Sequence, residues 1–290
     1  MPLFRTFLIS FSCFVLTGTV HGQVARPLSE DRPAAASATA FDIRAEQLPP
    51  NYSGHDIKAI YKELSSRGAG ATKGEFETTE EFRTRVRQEA STPIYGGHRP
   101  DAYFAFKVTN TMGETFYDAD RQVMTLAVAL DNASKSFYRP SDKKSLSVEY
   151  DSKTDSYELS NVYGAKVPAT LRFSNHHEIA FKNYKDFNVT RYLDSRSRRL
   201  GYTSDSFARD AILIELPMNV TTAKKVKKDL EILAVVKLVE PHTFGDTFGA
   251  RPTVAEPGGM LAQFYYLNAV LSGLWVYDKT TGQIFIKVRP

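Results

Sequence analysis

Residues 211–241, AILIELPMNVTTAKKVKKDLEILAVVKLVEP, decide the fold class. AILIELPM is dense in aliphatic and β-branched residues and runs into Pro217, the pattern of a strand reaching its end. The period then changes. Ala223, Val226 and Leu230 share one helical face, and Thr221 or Thr222 is placed to cap the helix start. Lys224, Lys225, Lys227 and Lys228 fill the sides that face water. ILAVVKLV resumes as a nearly unbroken apolar run, which suits a strand buried on both faces, and Glu240-Pro241 ends it. Strand, helix and strand in so short a span predict a crossover, or a helix packed on an otherwise antiparallel sheet.

The preceding residues have a period of two. DAYFAFKV, RQVMTLAVAL, KSLSVEY and SYELSNVY, all between 101 and 163, read as strands of a meander. Three bends share a grammar in which an aromatic strand end precedes an Asp able to accept backbone N–H bonds. They are Tyr117–Asp120, Tyr150–Asp155 and Tyr277–Gly282. On the C-terminal side, 241–260 holds Gly and Pro and reads as a long loop, of the kind that is often functional. FYYLNAVLSGLWVYD and QIFIKV then form a last hairpin, with a bulge expected at Gly273.

Two helices precede the strands. Ile57, Ile60, Tyr61 and Leu64 recur at helical spacing, with Asn51 or Ser53 as the cap. Thr78 and Glu81 are spaced as a capping box, and Phe82 and Val86 face one way beyond it. The expected fold is therefore α+β, an antiparallel-dominated β-sheet with short flanking helices. It forms a single domain over 51–290, helical over 51–95 and strand-rich over 101–290. Phe76, Phe82, Val86, Leu213, Leu216, Val235, Leu238 and Trp275 are the expected core.

The N-terminus carries an address. Arg5 precedes the apolar run TFLISFSCFVLTGTV, and Val20 and Gly22 suit signal-peptidase cleavage after Gly22, which makes 1–22 a signal peptide. The run is short for a membrane span, so the mature chain is expected to be exported, periplasmic or secreted, and not membrane-spanning. Cleavage removes Cys13, the one cysteine, and with it any disulfide or thiolate chemistry. Residues 23–50 are rich in Ala, Pro and Ser and read as a flexible linker. With 42% hydrophobic and 24% charged residues, collagen-like and wholly disordered readings drop out. A formal charge of +4 is too small to call for nucleic acid as a partner.

No motif for catalysis stands out. GxSxG, HExxH, GxGxxG and the phosphate-binding loop are all missing, so no cofactor is expected. His176 and His177 are adjacent on a strand and point to opposite faces, so they do not chelate together, and no metal site is expected. Asp118, Asp120, Asp151 and Asp155 are explained by turns. The candidate ligand-binding residues are basic groups among aromatics: Arg196, Arg198 and Arg199 with Tyr184 and Tyr192, and Phe248 in the 241–260 loop.

KGEFETTEEFRTRV, 73–86, resembles segments of uncharacterised exported proteins of Gram-negative bacteria through Lys73, Gly74, Phe76, Thr78, Glu81, Phe82 and Arg85. The Asn161-Val162-Tyr163-Gly164-Ala165 turn is similar as well. The resemblance implies an envelope or secreted location and brings no activity with it. The leading expectation is a non-catalytic binding or accessory protein whose partner is an envelope protein or an anionic polymer. One alternative is an envelope hydrolase whose Asp/Glu or Ser/His groups converge only in space; another is a protein that binds polyanions or membrane surfaces.

Overall fold

ILAVVKLV belongs to a strand 21 residues long that forms the spine of a wide sheet. The computed structural model describes residues 40–68, 73–94, 96–109, 113–134, 141–161, 163–193 and 208–290. In chain order the helices are α1 Ile57–Gly68, α2 Thr79–Ser91 and α3 Val220–Val226. The strands are β1 Tyr103–Lys107, β2 Glu114–Asp118, β3 Val123–Asn132, β4 Lys144–Ser160, β5 Lys166–Phe181, β6 Val189–Tyr192, β7 Arg209–Pro217, β8 Leu230–Ala250, β9 Gly258–Asp278 and β10 Ile284–Val288. The strand order is β1-β8-β9-β5-β4-β3-β7-β6, with β10 beside β9 and β2 beside β3. Among the described residues, β5 on β9 is the one parallel ladder. The sheet is therefore mixed and mainly antiparallel, and the described residues are mostly strand with three short α-helices.

Ile232, Ala234 and Val236 of β8 face the main core, and Leu233 and Val235 face a second cluster with Phe41, Trp275 and Tyr277. Burial on both faces is what the unbroken apolar run requires. β7 and β8 are not neighbours, so α3 links the two arms of the sheet rather than crossing between adjacent strands. Ile212 and Leu126 of one arm share the main core with Phe104 and Val236 of the other, so the sheet wraps around its interior. Ile57, Ile60 and Leu64 of α1 close that interior. Among the described residues no helix is long and apolar enough to cross a membrane.

Several expectations need correction. The cap of α1 is Asp56, whose Oδ1 accepts the Ala59 N–H at 2.9 Å, and the cap of α3 is Asn219, which accepts from Thr222. The Thr78–Glu81 capping box forms as its spacing predicts, with Glu81 N–H donating to Thr78 Oγ1 and Thr78 N–H to Glu81 Oε2. Even so, α2 does not enter the core. Phe76 is 94% exposed, and Phe82 and Val86 are half-buried. The Phe82 ring is covered by Arg85 of its own helix, which is held in turn by Glu77, so the sheet is not needed to shelter it. Arg67 ties the end of α1 to the carbonyls of Thr92 and Pro93. Leu216, Val235, Leu238 and Trp275 are buried as expected, and Leu213 is half-buried.

The expected linker gives way to ordered chain at its C-terminal end. Phe41 and Leu48 are buried, Phe41 lies edge-on to Trp275, and Leu48 N–H donates to Gly282 O. The expected signal peptide at 1–22 and residues 23–39 lie outside the described residues. The long loop at 241–260 is also absent. β8 passes Pro241 and reaches Ala250, leaving 251–257 as the connection to β9. The register skips between Leu238 and Thr243, so Pro241 falls in a bulge where no ladder bond is required of it. Asn268 Nδ2 donates to the Val239 carbonyl in that bulge.

Two of the three Asp bends are turns. Asp118 accepts from Asp120 and Arg121, and Asp278 accepts from Thr280 and Thr281. Tyr150–Asp155 is not a bend, because β4 runs straight through it. The chain reverses at Asn161, whose side-chain oxygen accepts the N–H groups of Tyr163 and Ala165, with Gly164 at φ +80°. At Gly273 the bulge is present, since the register of β8 on β9 passes over Ser272.

Candidate functional site

Beyond α1 the strands β4, β5, β9 and β8 continue side by side, and their register sets side chains in rows across one face. The first row is Glu149, His177, Tyr265 and Gly245. The second is Asp151, Asn175, Gln263 and Thr247, and the third is Lys153, Phe173, Leu261 and Gly249. Alternation of side chains along each strand keeps all three rows on the same side of the sheet.

Helix α1 forms one wall. Its Tyr61 ring stands edge-on to Tyr265 at 5.3 Å and to His177 at 6.2 Å, above Gly245. A Cβ at Gly245 would lie 3.1 Å from the Phe264 carbonyl and 3.8 Å from the Tyr61 hydroxyl, so the glycine leaves room for the helix side chain. The connection 251–257 forms the other wall. Pro252 lies over Gly259, where a Cβ would meet Pro252 Cδ at 2.5 Å, and Thr170 N–H holds Pro257 O at 2.9 Å. From Tyr265 to Gly259 the trough measures about 20 Å along the strands, and its four strands span about 14 Å. Among the described residues no strand is laddered on the outer edge of β4 beyond Ser145 or of β8 beyond Lys237, and Thr109 covers the start of the former by donating its N–H to Ser147 O and its hydroxyl to Val148 O. Beyond that contact, the described residues place no strand across either end of the trough.

Lys58 of α1 reaches Glu149 Oε1 at 2.7 Å and Asp151 Oδ2 at 3.2 Å. Its contact with Glu149 raises the Lys58 pKa, so the ammonium persists. Asn175 Nδ2 donates to Asp151 Oδ1 at 2.8 Å, and this bond, followed by Lys58, holds the Asp151 carboxyl below its ordinary value. Lys153 pairs with Asp155 at 3.3 Å and lies 5.1 Å over the Phe173 ring. Tyr265 Oη donates to Gln263 Oε1. His177 stacks on Tyr265 at 4.8 Å and is 9% exposed, and its Nδ1 has no hydrogen-bond partner. Burial first, and Lys58 second, push the His177 imidazole below its ordinary pKa. The α1 end thus holds a neutral imidazole and one ammonium between two carboxylates, and the floor beyond it carries amide, hydroxyl and ring groups together with Lys153.

His176 points to the opposite face and stacks on Phe264 at 4.4 Å, as strand alternation requires. Phe248 also lies on that face, in β8 beside Ala262 rather than in a loop, and is 39% exposed. Tyr184 sits in a 3-10 turn at Asn183–Asp186, at the far end of β5, with Lys144 and Lys185 near its ring. Tyr192 ends β6 and donates to Glu114. Phe248 is therefore remote from both tyrosines. Arg196, Arg198 and Arg199 lie outside the described residues. Of the nearby cations that are described, Lys182 pairs with Asp142 and Lys144 and Arg191 pair with Asp210, while Lys185 lies against the Tyr184 ring with no ion pair among the described residues. Burial pushes Asp210 up, but Lys144 and Arg191 outweigh it and hold the carboxyl below its ordinary value.

Sequence reasoning missed the trough. Its floor comes from four strands far apart in the chain, and Asp151 is assigned to a turn that does not form. The one available signal is alternation itself, since Gly259, Leu261, Gln263 and Tyr265 occupy every second position of one strand. Compared with known proteins, the chain matches no family model, no curated protein and no solved structure.

Proposed function

We propose that this chain is an exported, non-catalytic binding or accessory protein that holds a linear component of the bacterial envelope across the trough. The observation that carries the reading is a sheet face walled by α1 and the 251–257 connection, with no strand among the described residues laddered across either end. Such a shape suits a chain passing through and would leave a small substrate poorly enclosed. Export rests on the N-terminal leader, and the envelope setting on the resemblance of 73–86 to exported Gram-negative proteins. Among the described residues, pairing of Lys144, Lys182 and Arg191 leaves Lys185 alone near Tyr184 to meet a polyanion, which gives that alternative less support.

Capture from Gram-negative envelope extract by immobilised chain 23–290 tests the reading. A retained component is expected to be lost when Thr247→Trp fills the floor and kept when Arg196, Arg198 and Arg199 are all changed to Ala. The reverse pattern would move the binding surface to the basic segment and end the trough reading.

A further inference from the structure

We infer that the outer edge of β4 is an interface and that its occupant is a second copy of this chain, paired antiparallel about a two-fold axis at Thr154. Every residue from Tyr150 to Glu158 is exposed, and β4 holds no Pro or Gly to interrupt a ladder. Asn161 N–H donates to Ala165 O at 3.1 Å, so Asn161 turns its main-chain groups toward β5. Alternation then turns those of Tyr150, Ser152, Thr154, Ser156 and Glu158 outward. Thr170 agrees with that parity, since it stands opposite Ser156 and sends its N–H to Pro257 O on the far side of β5. The five outward residues present about ten main-chain donors and acceptors in a row. Among the described residues no strand is laddered on them, and the Thr109 bonds to Ser147 and Val148 mark where the row begins. The outer edge of β8 is less regular, because Gly249 has φ +117° and Ser134 reaches in to Asp246.

Charge selects both the partner and the register. Glu149 and Asp151 share Lys58, and Glu158 has Lys166, so these acids are countered within the chain. Lys153 and Asp155 remain, 3.3 Å apart and two residues from each other on one face. A strand with one cation and one anion so placed complements itself when a copy runs antiparallel to it. An axis at Thr154 sets each Lys153 opposite Asp155 of the second copy, at positions where Cα atoms approach to about 4.5 Å. It also sets Asp151 opposite Tyr157, Glu149 opposite Leu159 and Tyr150 opposite Glu158, so no like charges meet. An axis at Lys153 sets Lys against Lys and Asp151 against Asp155. One at Ser152 sets Asp155 against Glu149, one at Asp155 sets Asp against Asp, and one at Ser156 forfeits both ion pairs. Residues opposite each other in a ladder face the same way, so the dimer sets both troughs on one side of a continuous floor. Eight strands then span about 34 Å, and the β4 end of each trough leads into the other.

Sedimentation velocity of chain 23–290 between about 1 and 300 μM tests this, and a reversible monomer–dimer equilibrium is expected. Lys153→Asp sets Asp against Asp twice and should weaken the dimer by about ten-fold or more. Adding Asp155→Lys to it restores both ion pairs in this register alone, and should return the dimer constant to within about three-fold of the parent. Thr154→Pro removes the central outward N–H, which β5 does not use, and should abolish the dimer while the thermal midpoint of the monomer is kept. A chain that stays monomeric throughout would overturn the inference, as would a dimer indifferent to Lys153→Asp and Thr154→Pro, which must form through another face. Failure of the charge swap to restore the dimer would overturn the register. A monomeric chain that captures an envelope protein and loses it in Thr154→Pro would assign the edge to a foreign strand and overturn self-pairing. None of these outcomes depends on what the trough holds, so the Thr247→Trp capture remains a separate test.

Discussion

His177 is the residue on which the chemistry of the wall turns. It is buried, stacked on Tyr265, and faces Lys58 and Tyr61 from α1 and Glu149 and Asp151 from β4, with Asp56 nearby. Its folded-state pKa lies below the ordinary 6.5, so on acidification the unfolded chain takes up this proton first. The stability that the neutral ring contributes is complete above about pH 6.5 and is lost as pH falls toward and through the lowered value. His177→Phe keeps an aromatic ring against Tyr265 and discards an unpaired buried nitrogen. The variant should match or exceed the parent in urea midpoint near pH 7.5, and lose less of it by about pH 5. Equal losses in the two proteins would mean that some other group governs this window. The ion pairs of Lys58 are half exposed, so their contribution to folding is small.

At the scale of the element, burial separates two helices that look alike in sequence. Ile60 of α1 is fully buried, and Ile60→Ala should cost about 2–5 kcal/mol through lost transfer energy and the cavity left behind. Phe76, just before α2, should tolerate Ala within about 0.5 kcal/mol. Chemical denaturation of the two variants checks both values, and a large loss at Phe76 would place α2 in the core after all. Asn219→Ala should cost about 1 kcal/mol by freeing the Thr222 N–H, whereas Thr221→Ala should stay within about 0.5 kcal/mol. These contrasts mark what the sequence makes legible. The helical spacing of Ile57, Ile60 and Leu64 names a buried face because the same face repeats over about two turns. A two-residue signal such as Phe82 and Val86 does not, since Arg85 and Glu77 of the same segment can shelter it. The caps of α1 and α3 differ from the expected residues because Ser, Thr, Asn and Asp cluster at those helix starts, and backbone geometry chooses among them. Pro241 and Tyr150–Asp155 look like breaks in sequence, but a bulge absorbs the first and cross-strand partners of Asp151 absorb the second.

Across the whole molecule, one sheet does two things. Its wrapped half builds the core around α1, and the four strands β4, β5, β9 and β8 extend past that core to carry the trough. The strand-rich body was legible because alternation is a local property of each strand. The parallel pairing of β5 with β9 was not, and without it Asn175 and Gln263 have no reason to share a row. The most direct test of the trough is a hydrogen-exchange footprint of chain 23–290 with and without saturating envelope extract. Protection concentrated in 173–177, 245–249 and 261–265 is the predicted result. Protection confined to 182–192 and 209–217, with the trough unchanged, would contradict it.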